Sequence, residues 1–360
     1  MSKHALRFIL IFSMQMSCLF AADAEQIHLV LPTENDLLLE DDLNGYYQPT
    51  VSKRAISGRY GFVRTRGPEP PRFFEKFHEG IDVKPLRRDG NGVPLDPVMA
   101  IADGKVVYVN DRPSASNYGR YIVIRHPFGK YFMYSFSGHL GKVSTSTGAE
   151  VKAGDPIGIL GYTGAGINKE RAHLHLELTF KLRDSYDAWF QEPGVGYGGD
   201  RKNLHGDYNG LGYLGVDVAP LLLASREGTS PTVPELLNSL EPHFKVMIPA
   251  GEEYLYWQKQ FPFQVEGGIS QPLPKSWEMT VNRIGIPLRF KPSDRKVESP
   301  YVSWFKPYKK VQDYFTLGLV VKKGSKFLLT SHGGKWISQL TWDGKPEPKE
   351  NPVKKHPKLK

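Results

Sequence analysis

The chain has 360 residues, 40% of them hydrophobic and 24% charged, with 36 glycines, 28 prolines and 12% aromatics. That balance excludes a wholly disordered chain, and the lack of apolar runs near ~20 residues past the N-terminus excludes a polytopic membrane protein. The formal charge of +9 points to an anionic partner such as nucleic acid, membrane or wall polymer, provided the charge belongs to the whole chain.

In chain order, residues 1–24 have the layout of a secretory signal. Basic Lys3 and Arg7 precede an apolar stretch from Phe8 to Phe20, and Ala22-Asp23-Ala24 offers a cut after Ala24. The alternative is a short membrane anchor. With the signal removed, the protein is expected to be secreted or periplasmic, with no transmembrane domain. The single cysteine, Cys18, lies inside the apolar stretch. Cleavage then leaves no thiol, so any metal must be held by His, Asp or Glu.

Residues 25–56 are a mixed segment, acidic from Glu34 to Asp42, expected to line or cover a cleft. Short β-runs follow over 105–109, 121–125, 131–134 and 172–179, punctuated by Gly-containing turns. They define a mainly β domain over 57–226. Within it, residues 181–215 change to a Gly, Tyr, Asp and Asn texture that reads as a long surface insertion. Residues 216–223 read as a strand or short helix. Residues 227–242 read as a linker containing a brief helix at 235–240. Residues 243–343 read as a smaller β-sandwich-like domain, and 344–360 as a disordered basic tail. Trp277, Trp304, Trp336 and Trp342 are candidates for a glycan-binding face, with core packing the stronger account.

The chemistry concentrates in three places. Ala172-His173-Leu174-His175-Leu176-Glu177-Leu178 alternates polar and apolar residues. It reads as a half-buried strand with His173, His175 and Glu177 on one face. Upstream, His78-Glu79-Gly80-Ile81-Asp82 approximates a helical H-E-x-x-H motif with Asp in place of the second His. Gly80, the β-branched Ile81 and Val83, and Pro85 favour an extended reading with His78, Gly80 and Asp82 on one face. The third is His139-Leu140 after a β-run. Together these residues supply two or three ligands for a divalent ion and spare imidazoles for proton transfer.

These motifs resemble those of the M23 metallopeptidases, the lysostaphin and LytM type of zinc endopeptidase. The family's H-x-G-x-D matches His78, Gly80 and Asp82, and its H-L-H-x-E matches His173 to Glu177. Its isolated His-Leu matches His139-Leu140, and the glycine-rich run over 148–164 agrees as well. The resemblance covers roughly Gly58 to Leu178.

It implies an antiparallel β-sheet catalytic domain with an open cleft, and one zinc per chain on His78, Asp82 and His175. It further implies His139 and His173 as catalytic groups, and hydrolysis of peptide cross-links in peptidoglycan by metal-activated water. Glu177, on the same strand face, would orient a histidine or be a solvated strand residue. The run from Gly164 to Ala172 is longer and more charged than the family's, which bears on substrate preference. The family's closing Asp-Pro is displaced to 216–220 by the insertion, whose His205 is a candidate for the cleft, with a surface position the stronger account. The competing readings are a non-catalytic wall binder or amidase activator, and an endopeptidase acting on Gly-rich secreted proteins. Nothing resembles a nucleic-acid motif.

The charge divides unevenly. Residues 1–240 hold 26 Lys and Arg against 27 Asp and Glu, while residues 241–360 hold 21 against 11. The basicity therefore belongs to the C-terminal part, which is expected to draw the enzyme to anionic envelope polymers.

Overall fold

The computed structural model describes residues 25–50, 53–64, 76–197, 202–309 and 316–344. The expected signal, with Cys18, and the basic tail from Lys345 lie outside the described residues. Among those residues, no helix is long and apolar enough to cross a membrane.

The fold is mainly β with antiparallel sheets. A small hairpin of β1 (Val63–Arg64) and β2 (Lys76–Phe77) leads into β3 (Ile81–Val83). There follow β4 (Pro97–Met99), β5 (Gly104–Asn110), β6 (Arg120–Phe128), β7 (Tyr131–Leu140) and β8 (Lys142–Val143). The first half closes with β9 (Glu150–Val151), β10 (Pro156–Ile159), β11 (Leu174–Lys181) and β12 (Tyr213–Val216). The principal sheet runs β12-β11-β7-β6-β5-β9, and β4-β10-β8 form a separate small sheet. Strand β11 is central. Its N-terminal part pairs with β3 and its C-terminal part with β12, while β7 runs along its other edge.

The alternation expected for β11 is present, but its second face is not open to solvent. Leu174, Leu176, Leu178 and Phe180 enter the main core, and His175, Glu177 and Thr179 on the opposite face are buried too. The insertion causes this. Its ends meet where β11 stops and β12 starts, so residues between 182 and 212 are an excursion from a hairpin. It folds into α-helix Tyr186–Gln191 and two short 3₁₀ turns. Tyr208 stacks on Tyr108 at 5.5 Å between ring centroids, and its carbonyl accepts from the Tyr121 hydroxyl at 3.2 Å. An aromatic layer of Tyr121, Tyr134, Phe136 and Tyr213 forms on that side of the sheet.

Residues 25–50 pack into the body of the fold. Ile27, Leu29, Tyr46 and Tyr47 are buried in the main core, and the segment extends the sheet beyond β3. The Gln48 N–H donates to the Asp82 carbonyl at 2.9 Å and the Lys84 N–H to the Tyr46 carbonyl at 2.8 Å. Hydrophobic residues at Ile27, Leu29 and Leu38 favour burial over a surface position.

After β12, helix Val218–Glu227 is capped by Asp217 and ended by the left-handed Gly228. Helix Val233–Ser239 starts at a Thr232/Glu235 capping box. The C-terminal part has four antiparallel strands in the order β15-β14-β13-β16: β13 (Phe244–Pro249), β14 (Ser276–Val281), β15 (Pro287–Ser293) and β16 (Tyr301–Phe305). A hairpin of β17 (Val320–Lys323) and β18 (Lys326–Leu329) packs on it through a Phe305–Phe327 stack at 4.2 Å, followed by helix Ser331–Thr341.

Trp277 and Trp336 are core residues and Trp304 is 39% exposed, so the tryptophans do not form one face. One continuous apolar core unites both halves: Phe180 of β11 meets Trp257 and Phe261, and Tyr131 stacks on Phe261 at 5.8 Å.

Candidate functional site

The site forms where β3, β7 and β11 run side by side. In the antiparallel register His175 lies opposite both Asp82 on β3 and Gly138 on β7. Gly80 is required by that approach, because a Cβ there would lie 2.3 Å from the Leu176 carbonyl oxygen. His78, just before β3, is placed by backbone pairing with Gly61 and Phe62.

Three donors converge. Asp82 Oδ1 is 2.9 Å from His78 Nε2 and 2.9 Å from His175 Nδ1, and those two nitrogens are 3.3 Å apart. Among the described residues, His78, Asp82 and His175 form a buried group whose ligand atoms all lie within 4.8 Å of one another. The remaining nitrogens are held from outside. His78 Nδ1–H donates to the Arg59 carbonyl at 2.8 Å, and His175 Nε2 meets Glu177 Oε1 at 2.8 Å. Glu177 Oε1 also accepts from the Tyr118 hydroxyl at 2.8 Å. Such outer partners fix which nitrogen faces an ion.

The donor set fits a divalent cation. Burial opposes charge on Asp82, yet the His173 and His78 imidazoles and the hydrogen bonds from His173 and His175 hold its carboxyl well below the usual range. Burial likewise opposes charge on His175, yet its hydrogen bonds to Asp82 and Glu177 raise it to about 10. Two buried carboxylates flanking one imidazole demand positive charge, which a cation between Asp82, His78 and His175 would supply.

His139 and His173 stand beside this group with ring centroids 4.8 Å apart. His173 Nδ1–H donates to the Arg171 carbonyl at 2.7 Å and His139 Nδ1–H to the Thr163 carbonyl at 2.8 Å. Those bonds fix the tautomers and leave each Nε2 as the second, site-side nitrogen; His173 Nε2 is 3.3 Å from Asp82 Oδ1. Gly138 pairs opposite His175, so regular alternation would send His139 to the other face. A left-handed backbone at His139 (φ 59°) and a register shift between β6 and β7 break the alternation and bring its ring within 5.8 Å of His175. Burial, then the neighbouring His173 and His175, push His139 down to about 3.

A cavity of 450 Å³ opens over the group, lined by His78, His175, Glu177, Tyr118, Glu79 and His205 among others. His205 reaches this wall from the insertion. Its Nε2–H donates to the Ala115 carbonyl at 2.9 Å and its Nδ1 accepts from the Tyr108 hydroxyl at 3.0 Å, so both nitrogens are engaged in holding the wall. Tyr118 is the site residue that sequence reasoning did not single out, and Glu79 figured there only as the glutamate of the helical H-E-x-x-H reading. Burial and the Glu177 charge raise Glu79 to about 8. Glu79 sits inside the first motif, whereas no sequence signal marks Tyr118, which a loop brings against Glu177.

Residues 76–187 match the model of Peptidase family M23. The chain is 28% identical to the murein hydrolase activator EnvC of Escherichia coli K12 over 144 residues, 37% of this chain and 31% of EnvC. It thus spans about a third of that relative's length. The catalytic domain of lysostaphin from Staphylococcus simulans is 27% identical, with 38% of this chain and 81% of that one covered and a TM-score of 0.25. A zinc-containing peptidase from Vibrio cholerae is 25% identical, covering 37% and 35%, with a TM-score of 0.23. All five motif residues, His78, Asp82, His139, His173 and His175, fall inside the stretch that matches the model of Peptidase family M23.

Proposed function

We propose that the chain is a zinc-dependent endopeptidase of the cell envelope, secreted or periplasmic, that hydrolyses peptide cross-links of peptidoglycan. The observation that carries this reading is the intact set of three converging donors with two further imidazoles beside it. His78, Asp82 and His175 would hold the ion. When bound, the ion supplies Lewis-acid polarisation to water and to the scissile carbonyl.

The remaining work falls to the chain's own side chains. With His139 Nδ1–H tied to the Thr163 carbonyl, its Nε2 is the nitrogen that would take a proton from water. His173, with Nδ1–H fixed on the Arg171 carbonyl, holds or returns a proton at Nε2 to the leaving amine. Glu177 and Tyr118 keep the His175 ring oriented.

A second reading, a non-catalytic activator of wall hydrolases, is favoured by the similarity to EnvC. The complete donor set weighs for the enzyme. The mature protein is expected to carry about one zinc per chain and to release cross-link fragments from sacculi, and His175→Ala to abolish both. Full hydrolysis by His175→Ala would refute the enzyme reading, and absence of metal and hydrolysis with wall binding retained would favour the activator.

A further inference from the structure

A second cavity, of 460 Å³, lies between the insertion and the C-terminal helix Ser331–Thr341. Much of its lining is apolar: Leu182, Trp189, Leu214, Leu317, Leu319 and Trp336. Glu79, Asn117, Gly210 and Leu211 line both this cavity and the one over the donor group, so the two share a wall. Its volume is that of a ligand pocket, ~300–1,000 Å³.

The helix and the insertion are tied together. Trp189 Nε1–H donates to Ser338 Oγ at 2.8 Å, and the Arg183 guanidinium donates to the Gln339 carbonyl at 2.8 Å. Lys335, half-buried in the cavity lining, donates from Nζ to the Val195 and Gly196 carbonyls at 2.8 and 2.6 Å. An ammonium has three N–H donors, so one is left. Among the described residues no carboxylate pairs with Lys335. Glu79, the acid of the lining, stands where the two cavities meet. A half-buried cation without a counter-charge favours an anion.

We infer that this cavity is a specificity subsite that receives a carboxylate-bearing end or branch of the peptide substrate. Its apolar stem rests on the Leu and Trp lining and its carboxylate meets Lys335. The inference rests on the peptidase reading above. Most of the lining, from Gly210 to Gln339, lies outside residues 76–187, so the subsite belongs to this chain's own additions to the M23 domain.

The test is binding, read apart from hydrolysis. The full mature chain, zinc-loaded, is titrated with acetyl-Lys-D-Ala-D-Ala and with its C-terminal amide, following fluorescence of Trp189 and Trp336. The acid is expected to bind at least tenfold more tightly than the amide. Lys335→Gln should reduce that preference below twofold, while Lys335→Arg, which keeps the charge, should preserve most of it. Leu317→Trp, which lines this cavity and not the first, should abolish binding of both peptides with the melting temperature unchanged. Equal binding of acid and amide, no binding of either, or wild-type binding by Leu317→Trp would overturn the subsite. Hydrolysis of a cross-linked peptide by the same wild-type preparation is measured in parallel, so loss of the peptidase reading is seen separately from loss of the subsite.

Discussion

His139 and His173 share one arrangement, an Nδ1–H tied to a backbone carbonyl, yet they arrive by different routes. His173 comes from the end of a strand whose alternation is visible in the sequence. His139 comes from a break in alternation that the sequence does not mark. Replacing either with Ala is expected to lower kcat/KM by about 10²–10⁴ while zinc content stays at the wild-type level, since neither belongs to the converging donor set. Metal analysis beside kinetics checks it, and joint loss of zinc would reassign the residue as a ligand.

A third histidine has a structural effect. His126 is fully buried, with Nδ1–H on the Asp103 carbonyl at 2.9 Å and Nε2 accepting from Ser135 Oγ at 2.8 Å. Burial pushes it from 6.5 down to about 4. The unfolded chain therefore takes up a proton that the folded chain refuses as pH falls below 6.5. Stability is full above that pH and is lost on the way toward 4. About 2 kcal/mol should disappear between pH 6.5 and 5. Urea unfolding at pH 7 and 5 should show a smaller loss for His126→Gln, and an unchanged loss would contradict the assignment.

At the scale of elements, the β3–β11 pairing does most to build the site. Gly80→Ala would push a methyl into the Leu176 carbonyl, and a cost of about 2–3 kcal/mol is expected from the forced separation. Loss of zinc affinity should accompany it, and denaturant titration with metal analysis reads both. The donor positions were legible because strand alternation and the His-x-Gly-x-Asp spacing are local patterns. The burial of the site face was not. It depends on residues 202–212 folding back so that Tyr208 meets Tyr108, a contact between residues 100 apart that no local period encodes. For the same reason His205 reads as a surface residue in sequence and a wall residue in the fold.

At the scale of the molecule, the charge asymmetry suggested a detachable basic module, yet the shared core through Phe180, Trp257 and Phe261 joins the two halves. Removing residues 241–360 would expose that core, so it cannot isolate the role of the charge. The outer face of the C-terminal sheet offers a cleaner handle, because Arg289 and Lys291 are exposed on β15 and Trp304 is exposed on β16. Charge reversal of Arg289 and Lys291 to Glu is expected to weaken wall binding at low salt several-fold and to leave hydrolysis of a small soluble peptide unchanged. Pull-down with sacculi across a salt series measures it, and unchanged binding would separate the basic surface from targeting.

The pairing of His175 with Asp82 joins residues 93 positions apart. An unfolded chain holds no such arrangement, so the ion would act as a ligand of the folded state alone. By mass action, free metal at a hundred times its dissociation constant adds about 2.7 kcal/mol to folding. Metal supply would then bear on how long each molecule stays folded as well as on how fast it works.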